Sequence, residues 1–192
     1  PLAGALAAGN CAVIKPAEYS ANTSQVIFDI ISQAFSPEYV SVFTGDREVN
    51  QALLNERYDL IFFTGSPALG RIVMEKAARN LTPVVLELGG KSPAIVDQDA
   101  DIAVAARRIT FGRFLNAGQT CIAPDYVLVS EDKKIALIDA IHDTVKSFYG
   151  QTPIEWRNSP DLCRIVNRRH FDRVKGLLDD AKKHGAQVAF GA

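Results

Sequence analysis

Short apolar runs alternate with segments of helical spacing through residues 1–90, and this alternation limits the fold more than any other feature of the chain. The predicted β-strands lie at residues 11–14, 40–43, 60–63 and 83–88. Strands that are apolar along their whole length are buried on both faces, and the helices between them supply the cover. The pattern therefore predicts an α/β fold in which an open parallel sheet of Rossmann-like type is covered on both faces and joined by right-handed crossovers.

Several predicted helices begin with recognisable signals. Ser66 is followed by Pro67, which predicts an N-cap with proline in the first helical turn. Asp101 is expected to begin a long helix that reaches Phe114. Asn22 and the glutamine three residues later resemble a capping box, so another helix is expected to begin there.

The pattern changes beyond the glycine pair at positions 89 and 90, which is the best candidate for a hinge. We therefore predict a division of the chain into residues 1–89 and residues 90–192, the second part being another α/β lobe. In this lobe we predict strands at residues 94–96, 126–129 and 187–190, helices at 101–114, 133–148 and 168–184, and a loop at 150–158.

Composition narrows the functional classes. The chain has 192 residues, of which 47% are apolar, and a net charge of −1, so it can form a substantial core. It has no basic run interleaved with aromatic residues, as a nucleic-acid-binding surface would, and no apolar segment near the roughly 20 residues that span a bilayer. The N-terminal residues lack the charged region of a signal peptide. We therefore expect a soluble part of a longer polypeptide, with no nucleic-acid partner and no membrane segment.

The cysteine pattern gives two further expectations. Cys11, Cys121 and Cys163 are widely spaced and odd in number, which favours neither a disulfide framework nor a zinc site. A reducing, cytoplasmic setting is therefore expected, and no metal site is predicted. Cys11 lies in an apolar strand, and Cys163 has helical spacing from Val166, so both are expected to be small buried side chains.

Cys121 and Glu87 are the residues best suited to covalent chemistry. Cys121 lies in a Gly-Gln-Thr-Cys turn after a predicted helix, where its side chain can face a cleft, and Glu87 ends the fourth predicted strand. A thiolate can attack a carbonyl carbon, and a carboxylate can activate water to hydrolyse the product of that attack. A cysteine acyl hydrolase would also use these two residues, although no histidine base accompanies them in a motif.

Four sequence blocks resemble the aldehyde dehydrogenase superfamily. In chain order they read GNCAVIKPAE at residues 9–18, FTGS at 63–66, LELGGKSP at 86–93 and GQTC at 118–121. The segments TP at 82–83, APDY at 123–126 and NRRHF at 167–171 are most similar to the class 3 branch. The resemblance covers essentially the whole chain, and it implies that residues 1–89 are part of an NAD(P)-binding domain and residues 90–192 part of a catalytic domain.

The resemblance implies NAD(P)-dependent oxidation of aldehydes to carboxylic acids, with apolar aliphatic or aromatic aldehydes as substrates. Cys121 would form a thiohemiacetal that is oxidised to a thioester, and Glu87 would deprotonate the water that releases the acid. Three sources of thiol activation remain open: backbone N–H groups, the positive ring of the cofactor, and proton transfer through water to Glu87. The full-length protein to which this chain belongs is expected to be a homodimer.

The chain has no Gly-x-Gly-x-x-Gly fingerprint, which is the usual sequence signal of a dinucleotide site. A strand–turn–helix junction instead contains Gly65, Ser66 and Gly70, where free N–H groups could face a pyrophosphate. The resemblance further implies that the carbonyl group of Leu88 meets the nicotinamide amide and that Gly45 borders the adenine.

The resemblance also assigns Lys15 and Glu18 to the adenosine ribose. The carboxylate of Glu18 accepts hydrogen bonds from ribose hydroxyls and repels a 2′-phosphate, whereas the ammonium of Lys15 attracts one. NAD is therefore the expected cofactor, with NADP tolerated.

A second hypothesis is a truncated, non-catalytic fragment that binds nucleotide or merely folds. The superfamily's oxyanion-binding asparagine and its Glu-Glu-x-Phe-Gly-Pro block are both absent from this sequence. Among the remaining polar residues, His142 and His184 are expected to be solvated, His170 to be a packing residue and Lys91 to be a structural anchor.

Overall fold

The computed structural model describes residues 1–191 and divides the chain into two compact units. The first unit comprises Pro1–Leu88, and the second begins at Gly89. This boundary lies one residue before the predicted one. The functions predicted for the two parts of the chain stay predictions.

The first unit alternates helices and strands as predicted. Its elements are α1 (Leu2–Ala7), β1 (Ala12–Ile14), α2 (Ala21–Ala34), β2 (Val40–Val42), α3 (Arg47–Leu53), β3 (Ile61–Thr64), α4 (Pro67–Ala78) and β4 (Val84–Glu87). Strand β1 pairs in parallel with β2, and β3 pairs in parallel with β4. The α/β class and the parallel pairing are therefore confirmed.

The second unit contains β5 (Ser92–Val96), α5 (Ile102–Phe114), β6 (Pro124–Val129), α6 (Glu131–Tyr149), α7 (Pro153–Asn158) and α8 (Arg168–Lys183). Strands β5 and β6 are parallel, with an irregularity between Ser92 and Pro93. The core lies where α5 and α6 cover this strand pair, around Val96, Ala106 and Leu137. Ala106 is fully buried, and its small side chain lets the neighbouring elements approach closely.

The strands differ from the predicted sheet in two ways. Within residues 1–191, hydrogen bonds join them as three separate pairs, not as one continuous sheet. Alternate residues of the first-unit strands are also exposed, including Phe62 at 46% and Val85 at 40%, so the predicted cover on both faces is absent for these side chains. Apolar runs identify strands, but they do not specify which strands pair or which face is covered.

Three local predictions are wrong. Helix α2 begins at Ala21, one residue before the predicted capping residue, and its N-cap residue Ser20 makes no side-chain cap bond. The predicted loop at 150–158 contains α7, whose start is stabilised by Thr152 accepting a hydrogen bond from the Glu155 amide. Residues 187–190 form no strand in the described part of the chain. An isolated strand leaves its backbone groups without ladder partners, so an apolar pattern alone does not produce one.

None of the helices in residues 1–191 has both the length and the apolar character required to cross a bilayer.

Candidate active site

The turn that carries Cys121 has an unusual backbone. It comprises residues 115–121 and is called the cysteine turn below. Helix α5 ends at Phe114, and the next turn contains Asn116, Ala117 and Gly118 with φ angles of 52°, 54° and 73°. Three consecutive left-handed residues reverse the chain sharply, and only glycine adopts this conformation without steric cost. Cys121 follows as an exposed residue beyond the last turn of α5, where the partial negative charge of a helix end has faded.

The main chain of Cys121 packs directly against Gly90. A Cβ atom added at position 90 would lie 2.2 Å from the carbonyl oxygen of Cys121, a separation that no side chain can occupy. A Cβ atom at Gly89 would meet no atom within 4 Å. Gly90 is therefore needed for a close backbone approach that fixes the position of the cysteine turn.

An ion-pair group holds the other end of this turn. Asp125, at the start of β6, is 3.1 Å from the Lys91 Nζ atom and 3.3 Å from the Arg113 Nη1 atom. These ion pairs connect Lys91, which follows Gly90, and Arg113, near the end of α5, to the start of β6. Lys91 is 80% exposed, and its role as a structural anchor stays a prediction.

In the first unit, Glu87 lies at the carboxyl end of β4, opposite Thr64 of β3. The amide of Gly65 donates a hydrogen bond of 3.0 Å to the backbone carbonyl of Glu87. The Glu87 residue is exposed at the last ladder position of its strand. The carboxyl edge of this strand pair is where α/β folds usually bind ligands.

Ser66 and Gly70 lie at the start of α4. The Ser66 side chain accepts a hydrogen bond of 3.3 Å from the Leu69 amide, so the predicted N-cap is confirmed. A Cβ atom at Gly70 would be 2.8 Å from Cδ2 of Leu88, which shows that the helix packs closely on the residue after β4. The structure thus gathers Gly65, Ser66, Gly70, Glu87 and Leu88 at one end of the β3–β4 pair.

A separate cleft of about 590 Å³ opens beside the carboxyl ends of β1 and β2. Glu18, Gly45 and Asp46 line it, together with residues from the start of α2. Gly45 has a φ of 141°, and a Cβ atom there would be 2.5 Å from Cγ2 of Val49. Lys15 precedes this cleft, and its Nζ atom donates a hydrogen bond of 2.6 Å to the carbonyl of Pro16.

The sequence-predicted residues therefore form three groups. Glu18 and Gly45 share the first-unit cleft, and the β3–β4 edge gathers the residues around Glu87. Cys121 belongs to the second unit, where it is grouped with Gly90.

A second cleft, of about 610 Å³, lies in the second unit beyond the cysteine turn. Phe114 and Ala117 line one side, and residues from Leu162 to Phe171 line the other. Tyr149 packs its ring against Phe114 with 5.6 Å between centroids. Burial, followed by electrostatic interaction with Cys163 and Asp161, raises the pKa of the Tyr149 hydroxyl above its usual value.

Sequence reasoning missed residues that position Cys121. The crowding at Gly90 could not be separated from the free surroundings of Gly89, because adjacent glycines look alike in a sequence. Asp125 stood out only as part of the APDY segment. Gln119 stood out only as part of the GQTC block, whereas the structure gives its side chain contacts far along the chain.

Other side-chain predictions need correction. Cys11 and Cys163 are exposed, not buried, because the short strand β1 begins after Cys11 and Cys163 lies in an irregular segment. The ring of His142 stacks on Phe190 with 4.7 Å between centroids and meets Trp156 edge-on, so it is a packed side chain and not a solvated one. In the part of the chain that the structure describes, no three His, Cys, Asp or Glu residues are grouped as metal ligands would be.

Residues 1–192 match the model of the aldehyde dehydrogenase family. The chain belongs to the aldehyde dehydrogenase family. Among its relatives, aldehyde dehydrogenase family 3 member A2 of Rattus norvegicus is 48% identical over 191 residues, which are 100% of this chain and 38% of the relative. The 4,4′-diaponeurosporen-aldehyde dehydrogenase of Staphylococcus aureus is 49% identical, over 100% of this chain and 40% of that protein.

Solved structures of aldehyde dehydrogenases have the same fold. The substrate-bound state of Staphylococcus aureus AldH matches with a TM-score of 0.87 and 49% identity, covering 95% of this chain and 39% of that chain. A Mycobacterium tuberculosis aldehyde dehydrogenase in complex with NAD⁺ matches with a TM-score of 0.87 and 32% identity, covering 99% and 39%. The chain therefore spans about two fifths of the length of these family members.

Proposed function

We propose that the complete protein oxidises aldehydes to carboxylic acids with a nicotinamide dinucleotide, using Cys121 as nucleophile and Glu87 as general base. The observation that carries this proposal is the exposed cysteine on a turn whose backbone is fixed by Gly90. Membership of the aldehyde dehydrogenase family supports the reaction class.

The first step is attack of the Cys121 thiolate on the carbonyl carbon of the aldehyde. A carbon–sulfur bond forms, the carbonyl π-electrons move to oxygen, and a tetrahedral thiohemiacetal results. The thiol proton leaves to solvent before the attack. Backbone N–H groups near the oxyanion would stabilise its charge.

The first-unit residues fit a dinucleotide. The cleft beside Glu18 and Gly45 has a volume within the usual range for small-molecule sites, and glycine at position 45 is required by the close approach of the Val49 side chain. Glu18 would hold the ribose hydroxyls, with Lys15 beside it, and the amide of Ser66 would face the pyrophosphate, since the Gly65 amide already bonds the Glu87 carbonyl. A bound nicotinamide dinucleotide would supply the hydride acceptor.

Release of the product is the task assigned to Glu87. Its carboxylate takes a proton from water while the water oxygen attacks the thioester carbon. The carbon–sulfur bond then breaks, the electron pair returns to the Cys121 sulfur, and the carboxylic acid leaves. An exposed carboxylate at a strand end is suited to this role because it can reach water.

We propose NAD as the preferred cofactor. The Mycobacterium tuberculosis enzyme and the Staphylococcus aureus betaine aldehyde dehydrogenase, both structural neighbours, were solved with NAD⁺. In this chain, Glu18 and Asp46 give the cleft two carboxylates, and its lining residues within 1–191 include no lysine or arginine. Such a lining disfavours the 2′-phosphate of NADP.

For the substrate, we propose an apolar aldehyde. One relative is named for 4,4′-diaponeurosporen-aldehyde, and the class 3 resemblance of the sequence favours aliphatic or aromatic aldehydes. The cytoplasmic setting and a homodimeric complete protein are further proposals that rest on the sequence alone.

The test uses single-turnover and steady-state kinetics of the full-length protein. We expect Cys121→Ala to abolish aldehyde-dependent NADH formation, because no thiohemiacetal can form. We expect Glu87→Gln to retain a first-turnover burst of NADH while steady-state turnover falls by about 100-fold or more, because hydrolysis loses its base. Cys11→Ala, which changes an exposed cysteine outside the proposed site, should keep normal turnover.

The same experiment separates the alternative of a non-catalytic nucleotide-binding module. Calorimetric NAD binding without any aldehyde-dependent turnover of the wild-type protein would support that alternative. Normal turnover by Cys121→Ala would refute the proposed mechanism.

A further inference from the structure

The side-chain amide of Gln119 makes three hydrogen bonds around the cysteine turn. Its Nε2 atom donates to the carbonyl oxygens of Asn116 at 2.9 Å and Arg164 at 3.1 Å. Its Oε1 atom accepts a hydrogen bond of 2.9 Å from the amide of Val166. Both N–H groups and the oxygen of this amide are therefore used, even though the residue is exposed.

Two of these bonds connect parts of the chain that are far apart in sequence. Arg164 and Val166 lie 45 and 47 residues beyond Gln119. The side-chain amide of Gln119 donates to one backbone carbonyl and accepts from one backbone N–H of this segment, which is the hydrogen-bond pattern of a neighbouring β-strand. The cysteine turn is thereby attached to a segment outside its own loop.

The attached segment is itself held at both ends. The guanidinium group of Arg164 donates hydrogen bonds to the carbonyl oxygens of Leu162 and Arg157. Asn167 caps α8, with its Oδ1 atom accepting a hydrogen bond of 2.9 Å from the His170 amide. Gln119 therefore joins the turn to a fixed support and not to a free loop.

The turn needs such a support because its backbone is strained. Asn116 and Ala117 are left-handed residues that carry a Cβ atom, and a free chain would leave this conformation. Gln119 bonds Asn116 reciprocally, since the Asn116 Nδ2 atom donates to the Gln119 carbonyl at 3.3 Å. Strained backbone persists where the surroundings overdetermine it, and these bonds supply that constraint.

We propose that Gln119 is a positioning residue that fixes the Cys121 sulfur for attack on the aldehyde, by attaching the left-handed turn to the Arg164–Val166 segment. This inference rests on the proposed role of Cys121 as nucleophile. Gly90 limits the main chain of Cys121 from one side, and Gln119 limits the same turn two residues earlier. A thiol held in this way starts each turnover near its attack position.

The first test is Gln119→Met in the full-length protein, which keeps the length of the side chain and removes all three hydrogen bonds. We expect kcat to fall at least fivefold with the aldehyde KM changed less than about twofold, because binding is kept and orientation is lost. The rate of Cys121 alkylation by iodoacetamide should stay within about twofold, because this small reagent needs no fixed approach. Hydrogen exchange at the Val166 amide should become faster.

Internal and matched controls distinguish positioning from loss of folding. A partly unfolded variant would also change the fluorescence of Trp156, a half-buried residue of the second unit, and this is measured in the same sample. Gln98→Met changes an exposed glutamine elsewhere in the second unit and should leave kcat unchanged. Wild-type kcat for Gln119→Met, with faster exchange at Val166, would overturn the inference.

A second variant keeps the test decisive if Gln119→Met does not fold. Gln119→Glu keeps the acceptor for Val166, but its ionised carboxylate cannot donate to Asn116 or Arg164. We expect its kcat relative to the wild type to rise as pH falls, because the protonated carboxyl regains one donor. A ratio that is independent of pH would contradict the proposal. Full activity of Cys121→Ala in this assay would instead refute the proposed function.

Discussion

Two adjacent glycines near Cys121 differ in whether an added Cβ atom would fit. Gly89 and Gly90 are adjacent, yet only at position 90 would an added Cβ atom meet the Cys121 carbonyl oxygen, at 2.2 Å. Alanine at position 90 must displace either the start of β5 or the cysteine turn. Alanine at position 89 displaces nothing within 4 Å.

We therefore expect Gly90→Ala and Gly89→Ala to differ in the full-length protein. Gly90→Ala should lower kcat/KM for aldehyde by about tenfold to a hundredfold, because a shift of the nucleophile by about 1 Å has effects of this size. Gly89→Ala should change it less than about threefold. Steady-state NADH formation measures both, and equal losses in the two variants would show that the contact with Cys121 is unimportant.

Charge at the first-unit cleft gives a second prediction at the residue scale. Glu18→Gln should raise the affinity for 2′-phospho-ADP-ribose relative to ADP-ribose by about fivefold or more, because removal of one nearby charge changes an interaction by about 1 kcal/mol or more. Asp46→Asn should act in the same direction, since asparagine can still cap α3. Calorimetric titration at two salt concentrations measures the ratio. The control is Glu38→Gln, which changes an exposed residue outside the cleft lining. An unchanged affinity ratio for Glu18→Gln would show that Glu18 does not select the cofactor.

At the scale of secondary-structure elements, side-chain caps determine where helices begin. Ser66, Asp101 and Asn167 each accept a hydrogen bond from an amide in the first turn of their helix. Ser130 also precedes a helix, but it makes no such bond, and its buried Oγ atom has no partner in the described residues.

This contrast predicts different stabilities for two alanine variants. Asp101→Ala should lower the free energy of unfolding by about 1 kcal/mol, because the Val104 amide loses its acceptor at 3.0 Å. Ser130→Ala should change it by less than about 0.5 kcal/mol, since no cap bond is lost. Asp101→Asn should recover most of the loss. Urea unfolding measures all three, and equal effects of the two alanine variants would contradict the cap argument.

The helices were predictable because their signals are local. Ser66-Pro67 and Asp101 mark the observed starts of α4 and α5. Thr152-Pro153 is the same kind of N-cap signal for α7. Gly150 and Pro153, however, are also typical of loops, so the sequence predicts a loop there. Strand partners depend on distant segments, so the sequence predicted the strands of the first unit and their parallel orientation, but not which strands are partners. The apolar residues at 187–190 satisfied a strand pattern without a strand partner.

At the scale of the whole molecule, each compact unit is stabilised by its own buried residues. Val40 and Val73 are buried in the first unit, whereas Ala106 and Leu137 are buried in the second. The sequence contains one tryptophan, Trp156, and it lies in the second unit, so its fluorescence reports unfolding there.

Leu137→Ala should destabilise the second unit by about 2–5 kcal/mol, because it leaves a cavity in a core position that is 3% exposed. Leu177→Ala removes the same atoms from a side chain that is 60% exposed, so we expect a change of less than about 0.5 kcal/mol. Denaturant titration of Trp156 fluorescence gives both values. A similar shift in the two variants would show that packing around Leu137 contributes little.

Much of the candidate site could be predicted from the sequence because the reactive residues lie in recognisable blocks. The resemblance selected Cys121 and Glu87, and the structure describes one in each compact unit. What the sequence could not provide is the support around the thiol. The contacts of Gln119 with Arg164 and Val166 bridge more than forty residues, and such pairs leave no local signal.

The left-handed alanine in the cysteine turn has a consequence for protein engineering. Glycine at position 117 would adopt the observed φ of 54° without steric cost, so standard stability design would choose Ala117→Gly. Ala117→Gly would also increase the number of conformations that the cysteine turn samples before the substrate binds. A more heat-resistant variant obtained in this way would be a slower catalyst, and thermostability screens that ignore turnover would select it.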